Sequence, residues 1–223
     1  MHILLRTVLL LVLVASVVSC KKDEEEGPAS PILSTLPDPN AAFDLSDFSL
    51  LTEGNYWVYE RRTYDSTGLQ LGLGVDSFFF AGDTVINGNT YMVQRRTSVA
   101  GTTGMIWRIM RDSADCLVNH YGGLVFRYGV FDQIAWTDTI APILYIDYSV
   151  FSDPVPQFVP AGNIVCYKLL GTVGMITTGF PPVPPARYPY AYWAPRIGKV
   201  KDMEPYISSG WVVVRELLRY HAE

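Results

Sequence analysis

From about residue 50 to the C-terminus the chain is written in short runs rich in Val, Ile, Tyr, Phe and Trp, cut by Gly, Asn or Asp roughly every ten residues. That texture is the strongest constraint on the fold. No stretch carries the period of a long amphipathic helix, and parallel strands need a crossover helix between them, so βαβ architecture is excluded and antiparallel neighbours remain. The runs predict an all-β domain of some nine to eleven strands. A twisted open sheet of that width exposes too much apolar face, so the expected form is a strongly curved antiparallel sheet, an open half-barrel, with a two-sheet β-sandwich as the alternative. Gly and Pro number 18 and 15 and charged residues only 17%, which fits a turn-rich β protein. No repeat at fixed spacing points to a propeller or solenoid.

Individual segments support this reading. "NYWVYERRTY" (residues 55–64) predicts a first strand, and "GLQLGLGVDSFFF" (68–80) a second in which glycines mark bends or bulges. "DTVINGNTYMVQRRT" (83–97) predicts a hairpin turning at Asn87 and Gly88, residues that tolerate positive φ. In "MIWRIMRD" (105–112), alternation places Trp107 and Ile109 opposite Arg108. "CLVNHY", "GLVFRYGVF", "ILYIDYSVF" and "NIVCYKLLGTVGMI" continue the pattern. "WVVVRELLRYHAE" is read as a strand because three consecutive valines favour a pleated surface. Val212, Val214, Leu218 and Tyr220 are then expected to face the core, with Arg215, Arg219 and His221 in water.

The N-terminus differs from the body. Arg6 precedes an apolar run from Val8 to Val18 that ends in small residues, the pattern of a secretory signal over residues 1–19. Eleven helical residues rise about 16 Å against about 30 Å of hydrocarbon, too little for a permanent span. Val17, Val18, Ser19 and Cys20 resemble the bacterial lipoprotein box, in which the cysteine is acylated and becomes the first mature residue. The resemblance implies membrane attachment through lipid on Cys20, palmitate-type acyl chains included, since several chains on one residue hold a soluble domain stably. Lys21 to Glu26 cannot enter a core, and with the prolines at 28, 31, 37 and 39 they form a tether over residues 20–44. The charged burst also resembles the export tag of surface lipoproteins in some Gram-negative bacteria. It implies an outer-membrane protein facing the cell surface, the periplasmic face being the alternative. A single β domain is expected over residues 45–223.

"EGNYWVYE" (53–60), "DTVINGNTYMV" (83–93) and "YWAPRIGKVK" (192–201) are similar to a broad set of uncharacterised envelope lipoproteins. These open on a Gly-x-Tyr-Trp-x-Tyr strand and close on an Ala-Pro-x-x-Gly-x-Val-Lys turn. Arg196 stands where such proteins often carry glycine.

Chemistry-bearing motifs are sparse. Histidine occurs only at 2, 120 and 221, so no zinc set is indicated, and no cofactor motif is present. With 17 basic against 22 acidic side chains the chain has no basic excess for nucleic acid. Asp112 and Asp115 read as turn residues or as part of a calcium loop. Glu53, Glu60, Asp76, Asp147, Glu204 and Glu216 are available for a carboxylate pair, but nothing selects one. Cys116 and Cys166 either form a disulfide across the intervening 50 residues, worth about 4 kcal/mol in the chain-entropy model, or act as two buried small hydrophobes. "TGFPPVPPARYPYAYWAP" (178–195) holds six prolines and the aromatics Tyr188, Tyr190, Tyr192 and Trp193. It is expected as a rigid loop that either offers aromatic faces to a ligand or covers one end of the sheet. The resulting expectation is a non-catalytic binding domain for a glycan, a protein or an apolar ligand. The alternatives are a carboxylate-dependent polysaccharide hydrolase and a structural subunit of an envelope assembly.

Overall fold

The computed structural model describes residues 43–97, 104–178, 182–206 and 209–223. The signal segment, Cys20, the tether to residue 42, Phe180 and Pro181 lie outside them. The described chain is almost entirely antiparallel β, folded as a nearly closed, barrel-like sheet with one seam. A four-residue helix, α1 (Ser46–Ser49), precedes the strands β1 (Tyr56–Tyr64), β2 (Gln70–Ile86), β3 (Asn89–Thr97), β4 (Met105–Ser113), β5 (Cys116–Asn119) and β6 (Leu124–Arg127). The second half holds β7 (Ile134–Ile140), β8 (Leu144–Val150), β9 (Val155–Val159), β10 (Gly162–Met175), β11 (Tyr190–Ala194), β12 (Gly198–Pro205) and β13 (Val212–His221). Their order in the sheet is β6-β5-β4-β3-β2-β1-β13-β12-β11-β10-β8-β7, with β9 pairing β10 outside that path.

This topology follows from local connections. Each strand from β1 to β6 pairs with its sequence neighbour, and β13 returns to pair with β1, so the two ends of the domain are stitched together at its middle. The seam falls between β6 and β7, which are consecutive in sequence. Asn87 (φ 50°) and Gly88 (φ 78°) make the β2–β3 turn as expected. The second and third predicted segments are joined differently. β2 runs unbroken through residues 81 and 82, and a register shift between Phe80 and Asp83 absorbs Gly82 at φ 115° as a bulge rather than a strand end. The turn between β11 and β12 puts Arg196 at φ 61°, the left-handed conformation that glycine adopts without strain, and its backbone N–H donates to the Asp47 carbonyl at 2.5 Å.

Inside the barrel, side chains sort into two zones. One is aromatic: Phe48 of α1 is fully buried against Phe126, Tyr128 and Tyr167, while Phe126 stacks on Trp193 at 4.7 Å. The other is charged and centres on Arg215. Here the structure corrects the reading of the last strand. The inward face of β13 carries Val213, Arg215 and Leu217, which are 5%, 4% and 0% exposed, while Val212 and Val214 lie on the other face; past a register shift Tyr220 pairs with the buried Trp57. The arginine is inward because Asp76, Asp202 and Glu204 converge on it, which outweighs the preference of an isolated charge for water.

Candidate functional site

The charged zone is assembled by register. Tyr59 on β1 pairs with Asp76 on β2 and Leu217 on β13, and Arg215 pairs with Asp202 on β12, so residues from four adjacent strands point inward together. Arg215 Nε lies 3.1 Å from Asp76 Oδ2, and its Nη1 lies 3.1 Å from Asp202 Oδ1 and 3.0 Å from Glu204 Oε2. Asp76 also receives Arg96 at 2.8 Å and Arg61 at 3.5 Å, and Asp202 receives Lys199 at 2.5 Å. Among the described residues the ion pair of Arg108 is a long one, 3.8 Å to Glu204, and its guanidinium lies 6.0 Å from the Trp107 ring centroid. The Arg96 guanidinium also lies over the Trp107 ring at 4.7 Å. Trp107 and Arg108 both turn inward, against the alternation expected from sequence. β4 advances two residues where β3 takes one step from Gln94 to Arg95, and this bulge resets the faces.

Beside this network lies an interior cavity of about 260 Å³, walled by Arg108, Trp136, Asp138, Tyr148, Trp193 and Lys199 among others. Trp136 and Tyr148 are stacked at 4.7 Å. Burial pushes the Tyr148 hydroxyl up to about 12, with Asp138 reinforcing and Arg108 opposing. Burial likewise raises the Asp138 carboxyl, opposed by the Trp136 indole N–H. Trp193 is 8% exposed, and its indole Nε1 has no hydrogen-bond partner among the described residues. A second cavity of about 310 Å³ adjoins the first, sharing Tyr148, Pro189 and Glu204 and lined elsewhere by Ile140, Leu144, Ile146 and Val173. The junction requires Gly171: a β-carbon there would stand 2.7 Å from Ile146, 2.8 Å from Pro189 and 2.9 Å from Tyr148.

Burial works to raise Glu204, yet Lys199, Arg215 and Arg108 together hold its carboxyl down at about 2. A folded pKa below the usual value of about 4.3 means that ionised Glu204 favours the native state above that pH, and that this contribution disappears as pH falls towards about 2. Urea denaturation at a series of pH values should show stability falling with acid over that window, and Glu204→Gln should flatten part of the slope. Equal slopes in both proteins would assign the acid sensitivity to other groups.

The sequence-selected residues separate on this framework. Residues 190–194, expected within a loop, are strand β11, hydrogen-bonded to β10 and β12 on its two sides. The six prolines of the segment flank this strand and do not interrupt it. Trp193 and Tyr190 line the cavity, Tyr192 does not although its ring lies 5.6 Å from that of Tyr190, and Tyr188 follows the short 3-10 turn Pro185–Arg187. The four aromatics therefore form no single surface. Cys116 and Cys166 are both free thiols, on strands β5 and β10. Cys116 lies 3.3 Å from Asp115, whereas Cys166 is fully buried and burial pushes its thiol up to about 12. Asp112 accepts a hydrogen bond from Ser49 at 2.9 Å and Asp115 pairs with Arg127 at 2.8 Å. His120 packs against the Tyr121 ring. Of the available carboxylates, Asp76 and Glu204 meet on Arg215, Glu60 and Glu216 meet around Arg62 on the other face of the sheet, and Asp147 accepts from Thr137 at 2.5 Å. Sequence reasoning missed Arg108, Lys199, Asp202 and Arg215. The available signal was the odd placing of charge inside otherwise apolar strands, such as "VVVRELL".

Among the described residues no helix is long and apolar enough to cross a membrane. No family model matches the chain, and no curated protein matches it. Among solved structures it is similar to a chain designated an exported protein of YmcC-like fold from Bacteroides fragilis, at 15% identity and TM-score 0.41, covering 76% of this chain and 96% of that one. It is also similar to one designated a lipoprotein from Parabacteroides distasonis, at 14% identity and TM-score 0.40, covering 78% and 98%.

Proposed function

We propose that the chain is an envelope protein, anchored through lipid on Cys20 and displayed at the outer membrane surface, whose barrel binds a small ligand in its interior without turning it over. The observation that carries the binding reading is the 260 Å³ cavity, with a buried, unpartnered Trp193 N–H on its wall and an aromatic pair, Trp136 and Tyr148, opposite polar groups. Chemical turnover fits less well. Hydrolysis of a glycoside needs a free carboxylate beside an acid: burial raises Asp138 on the cavity wall, but Asp202 and Glu204, the other carboxylates of the lining, are tied to Arg215, with Glu204 held at about 2. The anchor rests on the residues before Cys20 and on the charged and proline-rich tether that follows.

Native mass spectrometry of the full chain released from its own membranes tests both parts. The expected spectrum shows an acylated N-terminal Cys20 and a non-covalent small-molecule adduct. Ala191 is 9% exposed and lines the cavity, so Ala191→Phe should fill the space and remove the adduct, at a cost of about 1 to 3 kcal/mol in stability. An unacylated terminus would overturn the anchor. A wild-type protein without any adduct, or an adduct unchanged in Ala191→Phe, would overturn the interior site.

A further inference from the structure

We infer that the ligand is an anionic amphiphile, a small molecule with an acceptor-rich acidic head and an aliphatic tail, which deepens the interior-binding reading and rests on it. The two adjoining cavities differ in chemistry. The first is a donor-rich chamber. Trp193 offers an unpartnered indole N–H, a group that donates and cannot accept. Arg108, one third exposed, keeps its guanidinium at the cavity wall with no ion pair closer than 3.8 Å among the described residues. Lys199 adds an ammonium that lies 2.5 Å from Asp202 Oδ2.

The charge balance points the same way. At the cavity, Arg108 and Lys199 of the lining and Arg215 bonded behind it are three cations against the two carboxylates Asp202 and Glu204, an excess of one positive charge before Asp138 is counted, while Arg61 and Arg96 pair with Asp76 away from the lining. Asp138, the carboxyl of the lining that stands outside the network, has its ionised form disfavoured by burial and favoured by the Trp136 indole N–H. A chamber with a loosely paired guanidinium at Arg108 and an unsatisfied indole donor at Trp193, partly shielded from water, favours a carboxylate or phosphate over a neutral or cationic group.

The second cavity supplies what such a head needs behind it. Ile140, Leu144, Ile146, Val173 and Val183 line it, and it shares Tyr148, Pro189 and Glu204 with the donor chamber. A head at Arg108 and Trp193 therefore leaves a tail facing aliphatic side chains. Burial of that tail removes apolar surface from water and strengthens binding with each methylene.

Calorimetric titration of the full chain in phospholipid nanodiscs, with empty nanodiscs as the subtraction, tests this with four probes. Decanoate carries head and tail, acetate the head alone, decanol the tail without charge, and decyltrimethylammonium the tail with reversed charge. Decanoate is expected to bind at least tenfold more tightly than any of the other three. Arg108→Gln should weaken decanoate by about tenfold or more, because a hydrogen bond to a charged group is worth about 1.5 to 3 kcal/mol. That variant should melt close to the parent, its distant ion pair contributing little. Decanol equal to decanoate would overturn the acidic head, and acetate equal to decanoate would overturn the tail. Absence of decanoate binding overturns the inference, while the native-spectrum adduct independently decides whether the interior binds anything. Should Arg108→Gln lose cooperative melting, the comparison of the four probes on the parent chain decides alone.

Discussion

Arg215→Met is expected to destabilise the domain by about 3 to 5 kcal/mol, the cost of removing one partner from a buried ion cluster. Arg215 is 4% exposed and is the only described side chain that touches Asp76, Asp202 and Glu204 together. Without it Asp76 keeps Arg96 and Arg61, and Asp202 keeps Lys199, but among the described residues Glu204 keeps only the long ion pair to Arg108 at 3.8 Å and the nearby charge of Lys199. For a domain of this size the loss corresponds to a fall in Tm of about 6 to 20 °C. Urea titration should show a lower midpoint with an unchanged m-value, since the surface exposed on unfolding is the same. Asp76→Asn in the Arg215→Met background should recover part of the loss, because it removes one of the stranded charges, whereas Asp76→Asn alone should be costly. A loss below about 1 kcal/mol, or strict additivity of the two substitutions, would mean that the cluster rearranges freely and does not organise the barrel interior.

That cluster is also where sequence reasoning stopped short, and the reason is physical. Local chemistry is readable: Asn87 and Gly88 make the turn they suggest, and the spacing of β-prone runs yields an antiparallel, strongly curved sheet. Strand facing is less readable where compensation is remote. Arg215 looks like a solvent residue beside Val214, and only pairing with β12 and proximity to β2, 139 residues away at Asp76, shows how it is neutralised. Bulges add a second blind spot. Trp107 and Arg108 are consecutive, so alternation assigns them to opposite faces, yet the extra residue in β4 turns both inward. Composition adds a third. Prolines at 181, 182, 184, 185, 189 and 195 suggested one long loop, but β11 fits between the last two of them and carries Trp193 to the cavity. The aromatic residues named for the loop thus sit in another setting: Tyr190 and Trp193 stand in a strand and line the cavity, while Tyr192, in the same strand, does not.

Phe48→Ala is expected to cost about 3 to 5 kcal/mol, the range for deleting a buried phenyl ring. The ring is 0% exposed, 4.6 Å from Tyr128, 5.5 Å from Phe126 and 5.8 Å from Tyr167. Four residues are far too few for a helix to persist on its own propensity, so α1 holds its place by packing and by a few fixed contacts. These contacts are Leu45 at 6% exposure, the Ser49 hydroxyl donating to Asp112, and the Asp47 carbonyl accepting from Arg196 N–H. Because Phe126 also stacks on Trp193, the ring supports the partition between the aromatic zone and the cavity. Two measurements separate this role from simple loss of apolar area. Phe43→Ala, which removes a partly buried ring 6.3 Å from Phe48, should cost markedly less. Amide exchange in Phe48→Ala should rise first over residues 45–50 and next in β6, before the β1–β13 pairing that stitches the domain together. If the cost stays below about 1.5 kcal/mol and exchange in β6 is unchanged, α1 is a loosely held cover. The cavity wall then stands on the strands alone, because Phe126 and Trp193 keep their stacking without the ring behind them.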